Sequence, residues 1–415
     1  MTERDHRHNQ QQIAIHPFAS RLAASNKNDN NGGQVSKKPR WYTCCSTREL
    51  IQAVHIFVDK THVVAELGAQ LRDVSISISK HCHSAVLVDV ERKFPTDDKH
   101  RTSAMRQRPP DYNNNNDDSD DNNNAPMQQQ QLVLRDGVVF AEMPSLMDWR
   151  KALFFQNIQA GPYDVLVIDV SAIVGNDLEW TTFALIQEFM GLNEAFGGSC
   201  HTVLVKSAGL NRLASCLVHG QVWIDRGSSR HAGPHIVATV GVQEYRRTME
   251  RAVQAGDAVL EVGCHFGTSS VLLHEQADHE MGGYCIGVDV GSSIIERAKI
   301  LHRGVYFHVG DAWKTAELLR IQESYLELHP ESNPRRGFDV VYVDVGGLSG
   351  EDGVLEAIML LGALEQALEP RCLVIKSKCM RRLSSTMIPF WQSPERREYD
   401  RKRKEEKRKA TCSDS

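Results

Sequence analysis

The sequence lacks three things whose absence narrows the field: a Cys-x-x-Cys pair among its ten cysteines, a long apolar run and a Gly-x-Gly-x-x-Gly string. Without paired cysteines neither a zinc ribbon nor a disulfide framework is indicated, and reduced thiols are expected. The closest approach to a ligand cluster is His81-Cys82-His83, but neighbours on a strand point to opposite faces, so an ordinary strand end and no metal are expected there. No stretch reaches the roughly 18 apolar residues of a membrane span. The polar start MTERDHRHNQQQ is unlike a signal peptide, so nucleus or cytoplasm is the expected place and no membrane partner is expected. The missing glycine string disfavours a nicotinamide dinucleotide.

What is present is a chain of 415 residues, long enough for two domains that each bury a core. Its net charge of −5 hides an asymmetry, because residues 111–124 are acidic and asparagine-rich while 396–409 (RREYDRKRKEEKRK) are strongly basic. The expected division is a disordered segment over 1–40, a first domain over 41–234 with a low-complexity insertion at 95–131, a second over 235–390, and a basic tail over 391–415. That tail reads as an import signal, an RNA-steering segment or a solvated helix of alternating charge, and no interleaved aromatics mark it as a stacking surface.

The most informative stretch is 257–291. It reads as a buried strand (258–262), a turn from Gly263 to Gly267, a helix from Thr268 to about Gln276, and a second strand (285–290) carrying Asp289 near its end. Such a βαβ unit gathers backbone N–H groups and the positive helix end above the sheet. Gly263 and Gly267 are expected to let a ligand approach the backbone. Glu261 and Asp289 place carboxylates at the carboxyl ends of adjacent strands, where open α/β sheets bind ligands, and Asp289 is placed to accept from two ribose hydroxyls.

An internal repeat is as telling as the motif. Glu66-Leu-Gly68 answers Glu261-Val-Gly263, and Val86-Leu-Val-Asp89 answers Ile286-Gly-Val-Asp289. Further on, Tyr163-Asp-Val-Leu-Val-Ile-Asp169 answers Phe338-Asp-Val-Val-Tyr-Val-Asp344, and Val203-Leu-Val-Lys206-Ser answers Leu373-Val-Ile-Lys376-Ser. The chain is therefore expected to hold two tandem Rossmann-like, three-layer α/β domains in contact with each other. Arg72 stands in the first copy where Gly267 stands in the second, so a crowded turn and a degenerate first copy are expected.

The run Glu261-Val-Gly263-Cys264-His265-Phe266-Gly267 resembles the first motif of class I S-adenosylmethionine (SAM) methyltransferases, a likeness covering about 242–383 with good motif order and 41–215 more weakly. The resemblance implies SAM as cofactor, the 261–267 loop beside its methionine moiety, Asp289 on its ribose, and Asp311 with Ala312 at its adenine. It also places Asp344 and Lys376 at the reacting centre. The Asn/Asp-Pro-Pro-aromatic signature of base N-methylation is missing. Asp344 followed one strand later by Lys376 is similar instead to the central pair of ribose 2′-O-methyltransferases, whose tetrad is Lys-Asp-Lys-Glu. Fibrillarin offers a distant comparison that would favour Lys378. Only Arg246 and Arg247 stand where the first lysine belongs, and no terminal glutamate is assignable. An oxygen acceptor is expected, with RNA as the first substrate and partner to test. The rivals are a small-molecule or protein methyltransferase and a non-catalytic RNA-binding or assembly scaffold.

Overall fold

The computed structural model describes residues 39–68, 72–90, 138–143, 149–150, 153–154, 162–169, 178–225, 235–348 and 353–413. The start of the chain, the low-complexity insertion, the turn at 69–71 and most of a helix expected near 146–156 lie outside them.

The first copy runs β1 (Arg40–Cys44), α1 (Thr47–Phe57), β2 (Val63–Leu67), α2 (Arg72–His81), β3 (Ser84–Val90), β4 (Val138–Met143), β5 (Val165–Ile168), α3 (Leu178–Ala195), β6 (Thr202–Lys206), α4 (Ala208–Cys216), β7 (Leu217–His219) and α5 (Gly220–Asp225). The second begins with β8 (His235–Thr239), α6 (Gly241–Arg247), α7 (Met249–Ala252), β9 (Ala258–Val262), α8 (Thr268–Ala277), β10 (Tyr284–Asp289) and α9 (Ser292–Leu301). It continues with β11 (Tyr306–Val309), α10 (Thr315–Leu328), β12 (Val340–Val343), α11 (Val354–Leu368), β13 (Cys372–Lys376), α12 (Lys378–Thr386) and β14 (Met387–Pro389). A last helix, α13 (Pro394–Ser413), follows.

Two sheets result, in the orders β14-β1-β6-β5-β2-β3-β4 and β11-β10-β9-β12-β13-β8-β7. Reversed, the second order repeats the first position for position. The strands are apolar runs rather than alternating ones because both faces are covered by helices, and β5, β9 and β12 are buried throughout. Each fully buried Val, Leu or Ile there contributes about 1.5–3 kcal/mol of transfer free energy.

One feature of the topology has no counterpart in the linear reading. β7 leaves the first copy after α4 and pairs parallel with β8 of the second, Val218 opposite Val237. Reciprocally, β14 leaves the second copy after α12 and pairs parallel with β1 of the first, Ile388 opposite Tyr42. Each copy thus covers an edge of the other's sheet, which would otherwise expose unpaired backbone. Gly220 permits the crossing, since a Cβ there would lie 2.7 Å from Glu244 Oε1 and 2.9 Å from the Ala238 carbonyl. Side chains add to the junction: Arg212 pairs with Glu365 at 2.7 Å and Arg40 with Glu395 at 3.2 Å.

The exchanged strand of the first copy is β7, directly followed by α5. The basic tail is a helix whose first turn is docked on the first copy, where Arg396 donates to Gln52 of α1 and Tyr42 donates to Glu395 at 3.3 Å. No helix among the described residues is long and apolar enough to cross a membrane.

Candidate active site

The floor of the site is set by β9. Glu261 is buried there, accepting the Ser270 hydroxyl at 2.5 Å and the Tyr245 hydroxyl at 3.3 Å. Burial pushes its carboxyl up to about 7, against the pull of those two hydrogen bonds and with a further push from Asp344. A carboxyl held this way is poised to ionise when a cationic group arrives above it.

From β9 the chain enters the turn through Gly263, at φ 78°, and passes His265, at φ 49°, before Gly267, at φ 82°, caps α8. The Gly263 and Cys264 N–H groups both donate to the Val288 carbonyl, at 2.8 and 3.1 Å. The His265 N–H donates to Asp289 Oδ2 at 3.1 Å. The turn's donors thus tie β9 to β10, and the first-turn N–H groups of α8 at Thr268 and Ser269, both on the cavity wall, are the ones helix geometry leaves over.

Both glycines have a packing reason within the protein itself. A Cβ at Gly263 would stand 2.2 Å from the Asp344 carbonyl oxygen, and one at Gly267 would stand 2.4 Å from Cζ of Phe307. Gly287 faces the same ring, its Cβ position 2.6 Å from Phe307 Cδ1. Gly267 is absent from the cavity wall, whereas Glu261, Gly263, Cys264, His265 and Phe266 line it. Burial, with Glu261 and Asp289 nearby, pushes the Cys264 thiol up, which disfavours its thiolate form.

Asp289 ends β10 with both carboxylate oxygens oriented, Oδ1 accepting the Gly291 N–H at 3.0 Å and Oδ2 that of His265. Lone pairs remain on each oxygen for a diol. Asp311 lies one strand over, where Oδ1 accepts the Trp313 N–H at 3.0 Å, so it stabilises its own turn while facing the cavity with Ala312. Val290 and Trp313, both largely exposed, flank this part of the wall. They were not singled out from the sequence, although each neighbours a residue that was.

The opposite wall carries the charged pair. Lys376 at the end of β13 donates to Asp344 Oδ2 at the end of β12, and about a quarter of each side chain is exposed, 22% and 24%. Lys376 lines the cavity, while Lys378 opens α12 on the exposed surface and is not on the wall. Arg246 of α6 also lines it, with Nε donating to Ser269 Oγ at 3.1 Å, whereas Arg247 reaches away to Gln221. A cavity of ≈ 710 Å³ therefore joins all the candidate residues except Gly267, within the range that holds a ligand of cofactor size. Among the described residues no three His, Cys, Asp or Glu side chains gather as a metal would require.

No family profile matches the sequence and no curated protein does. Among solved structures, an S-adenosylmethionine-dependent methyltransferase from Mesorhizobium loti aligns at 22% identity over 30% of this chain and 46% of that one, with a TM-score of 0.20. A TehB-like SAM-dependent methyltransferase from Corynebacterium glutamicum aligns at 17% identity over 38% and 71%, TM-score 0.22. The SAH-bound methyltransferase PaMTH1 of Podospora anserina aligns at 17% over 30% and 50%, TM-score 0.20. The chain thus spans about half the length of the first and third. Similarities of this size carry no argument about chemistry, which rests on the residues of the site. All strand pairings among the described residues are parallel, and the edge of the second sheet beyond β13 is completed by β8 and the exchanged β7.

Proposed function

We propose that the chain is a SAM-dependent methyltransferase whose second copy carries the activity, acting on an oxygen nucleophile, with a ribose hydroxyl of RNA as the first acceptor to test. The observation that carries this reading is the convergence on one cavity of Asp289, Asp311 and the Asp344–Lys376 pair. The residues fit such a ligand. Asp289 offers oriented oxygens to a ribose diol, Asp311 an acceptor to an exocyclic amine, and Glu261 a buried carboxyl beneath a cationic centre.

The cofactor supplies, when bound, a methyl group on a positively charged sulfur that leaves as a neutral thioether. The protein has three tasks. It must hold the acceptor oxygen in line with that methyl, and placing Asp344 and Lys376 at the carboxyl ends of adjacent strands fixes them for this. It must also take the hydroxyl proton as the oxygen–carbon bond forms. Lys376 takes it at Nζ as the free amine, with Asp344 orienting the group. Finally it must tolerate the change of charge at sulfur, which Glu261 and Asp344 accommodate.

The binding part of this reading is tested by calorimetric titration of the full chain with SAM. Saturable binding weakened roughly 100-fold by Asp289→Ala, as expected for loss of charged hydrogen bonds, supports it. No heat from the full chain would refute it.

A further inference from the structure

The two copies close differently. After the exchanged strand β7 the first copy ends in the six-residue α5, where Trp223 is buried with the Arg251 guanidinium over its ring at 4.4 Å. After the exchanged strand β14 the second copy makes a single turn at Phe390–Gln392 and then the twenty-residue α13. The start of that helix closes the fold. Phe390 is buried edge-on to Phe57 of α1, the ring centroids 6.5 Å apart, and the Arg396 guanidinium lies over Phe390 at 5.4 Å. Glu395 and Arg396 then make the contacts to β1 and α1.

The residues next to this anchoring pair are exposed. Trp391 is 54% exposed, and Arg397 is exposed beside it, its Nη2 donating to the Gln392 carbonyl at 2.8 Å. Arg397 opens a row at spacings of four, three and four residues: Arg397, Arg401, Lys404 and Arg408, all exposed. Those spacings keep a row on one face of a helix, about one cation per turn over about 16 Å. Glu398 and Glu405 border the row and hold Arg401 by ion pairs of 2.6 and 2.7 Å. The whole of α13 carries nine Lys and Arg against five Asp and Glu, in a chain whose net charge is −5.

Neither feature is explained by stability. An indole left in water forgoes the free energy that its burial would supply. Arg397 with Arg401, and Lys404 with Arg408, are like charges four residues apart, an arrangement that destabilises a helix. A polyanion that carries flat apolar groups answers both at once, its phosphates meeting the row and a base stacking on the indole. The sequence offers no aromatic within the row; the stacking platform stands at its head, in the turn before it. A duplex keeps its base faces stacked inside, so the indole favours a single strand.

We propose that Trp391 and the face of α13 bearing Arg397, Arg401, Lys404 and Arg408 form a docking surface for single-stranded RNA, separate from the residues that line the cavity of the second copy. The surface stands on these residues alone; that the RNA it holds is the one methylated rests on the function proposed above. Fluorescence anisotropy of a labelled oligouridylate with the full chain, measured without SAM, is the test. Saturable binding is expected, falling roughly 20-fold between about 50 and 200 mM salt, the slope of about three phosphates neutralised on a single strand. Trp391→Ala should weaken it at least about fivefold, the loss of one stacked base. Arg397→Ala combined with Lys404→Ala should weaken it by at least as much and flatten the salt slope. Should that pair lower the helix content seen by circular dichroism, Lys404→Gln alone serves. No binding, or binding indifferent to every variant, would overturn the proposal. So would binding weakened by the charge variants and unchanged by Trp391→Ala, which would indicate a polyanion held by charge alone, such as an acidic protein segment. Equal affinity for a double-stranded RNA of the same length would overturn it as well. These failures are distinct from failure of the methyltransferase reading, because the calorimetric titration with SAM reads the cavity and not α13.

Discussion

The two halves of the chain share a strand order, a buried Glu–Ser contact, a glycine of positive φ after the strand that carries the Glu, and an Asp–Lys pair, and they differ at two positions that are glycine in the second. In the second copy two glycines admit the Phe307 ring and the Asp344–Lys376 pair is open to a cavity. In the first, Arg72 and Leu87 occupy the glycine positions and Asp169 is covered. The comparison separates two questions that a motif merges: whether a turn can hold a ligand, and whether the pair beyond it can react with one. The Glu–Ser and Asp–Lys contacts are duplicated, while the Asp–Lys pair open to the described cavity is that of the second copy.

That separation can be broken most forcefully at Lys376. Lys376→Met should lower kcat about 10²- to 10⁴-fold, the usual worth of a general base, while SAM affinity changes little; an equal loss in affinity would mean that the lysine serves binding.

Next in size is the packing claim. Gly267→Ala forces a side chain into the left-handed region and against Phe307, so we expect a stability loss of about 2–4 kcal/mol in denaturant unfolding, partly relieved by Phe307→Leu. Unchanged stability with weakened SAM binding would instead restore the ligand-clearance explanation.

Glu261 gives a smaller, pH-dependent effect. Its carboxyl is raised to about 7 in the folded protein, above its ordinary value of 4.5. The folded state therefore holds its proton more tightly than the unfolded state. The stability this contributes is fully present below about pH 4.5 and is lost as pH rises through about 7. Ligand binding should run the opposite way: a cationic sulfonium favours the ionised form, so SAM affinity should rise with pH across about 6–8, by several-fold, and become flat in Glu261→Gln.

The smallest effect is expected at the junction. Arg212→Ala removes an exposed cross-copy ion pair and should cost under about 1 kcal/mol. A much larger loss would show that side chains, and not the exchanged strands, hold the copies together.

Much of this arrangement was legible in the linear sequence because buried parallel strands are short apolar runs and their carboxyl ends carry the charged residues. Glu261, Asp289, Asp344 and Lys376 could be located that way, and the structure brings them to one cavity. Lys376 could not be told from Lys378 without knowing where β13 ends and α12 begins. The purpose of Gly267 was hidden because its neighbour, Phe307, lies 40 residues away on another strand. The strand exchange was hidden for a similar reason: three residues show no periodicity, and the partners of β7 and β14 belong to the other copy.

The most direct test of the central claim is to incubate the full chain with SAM labelled on its methyl group and total RNA, then digest the RNA to nucleosides. The account predicts label in 2′-O-methylated nucleosides, abolished by Lys376→Met. Label confined to base nitrogens, or no label in RNA, would contradict it.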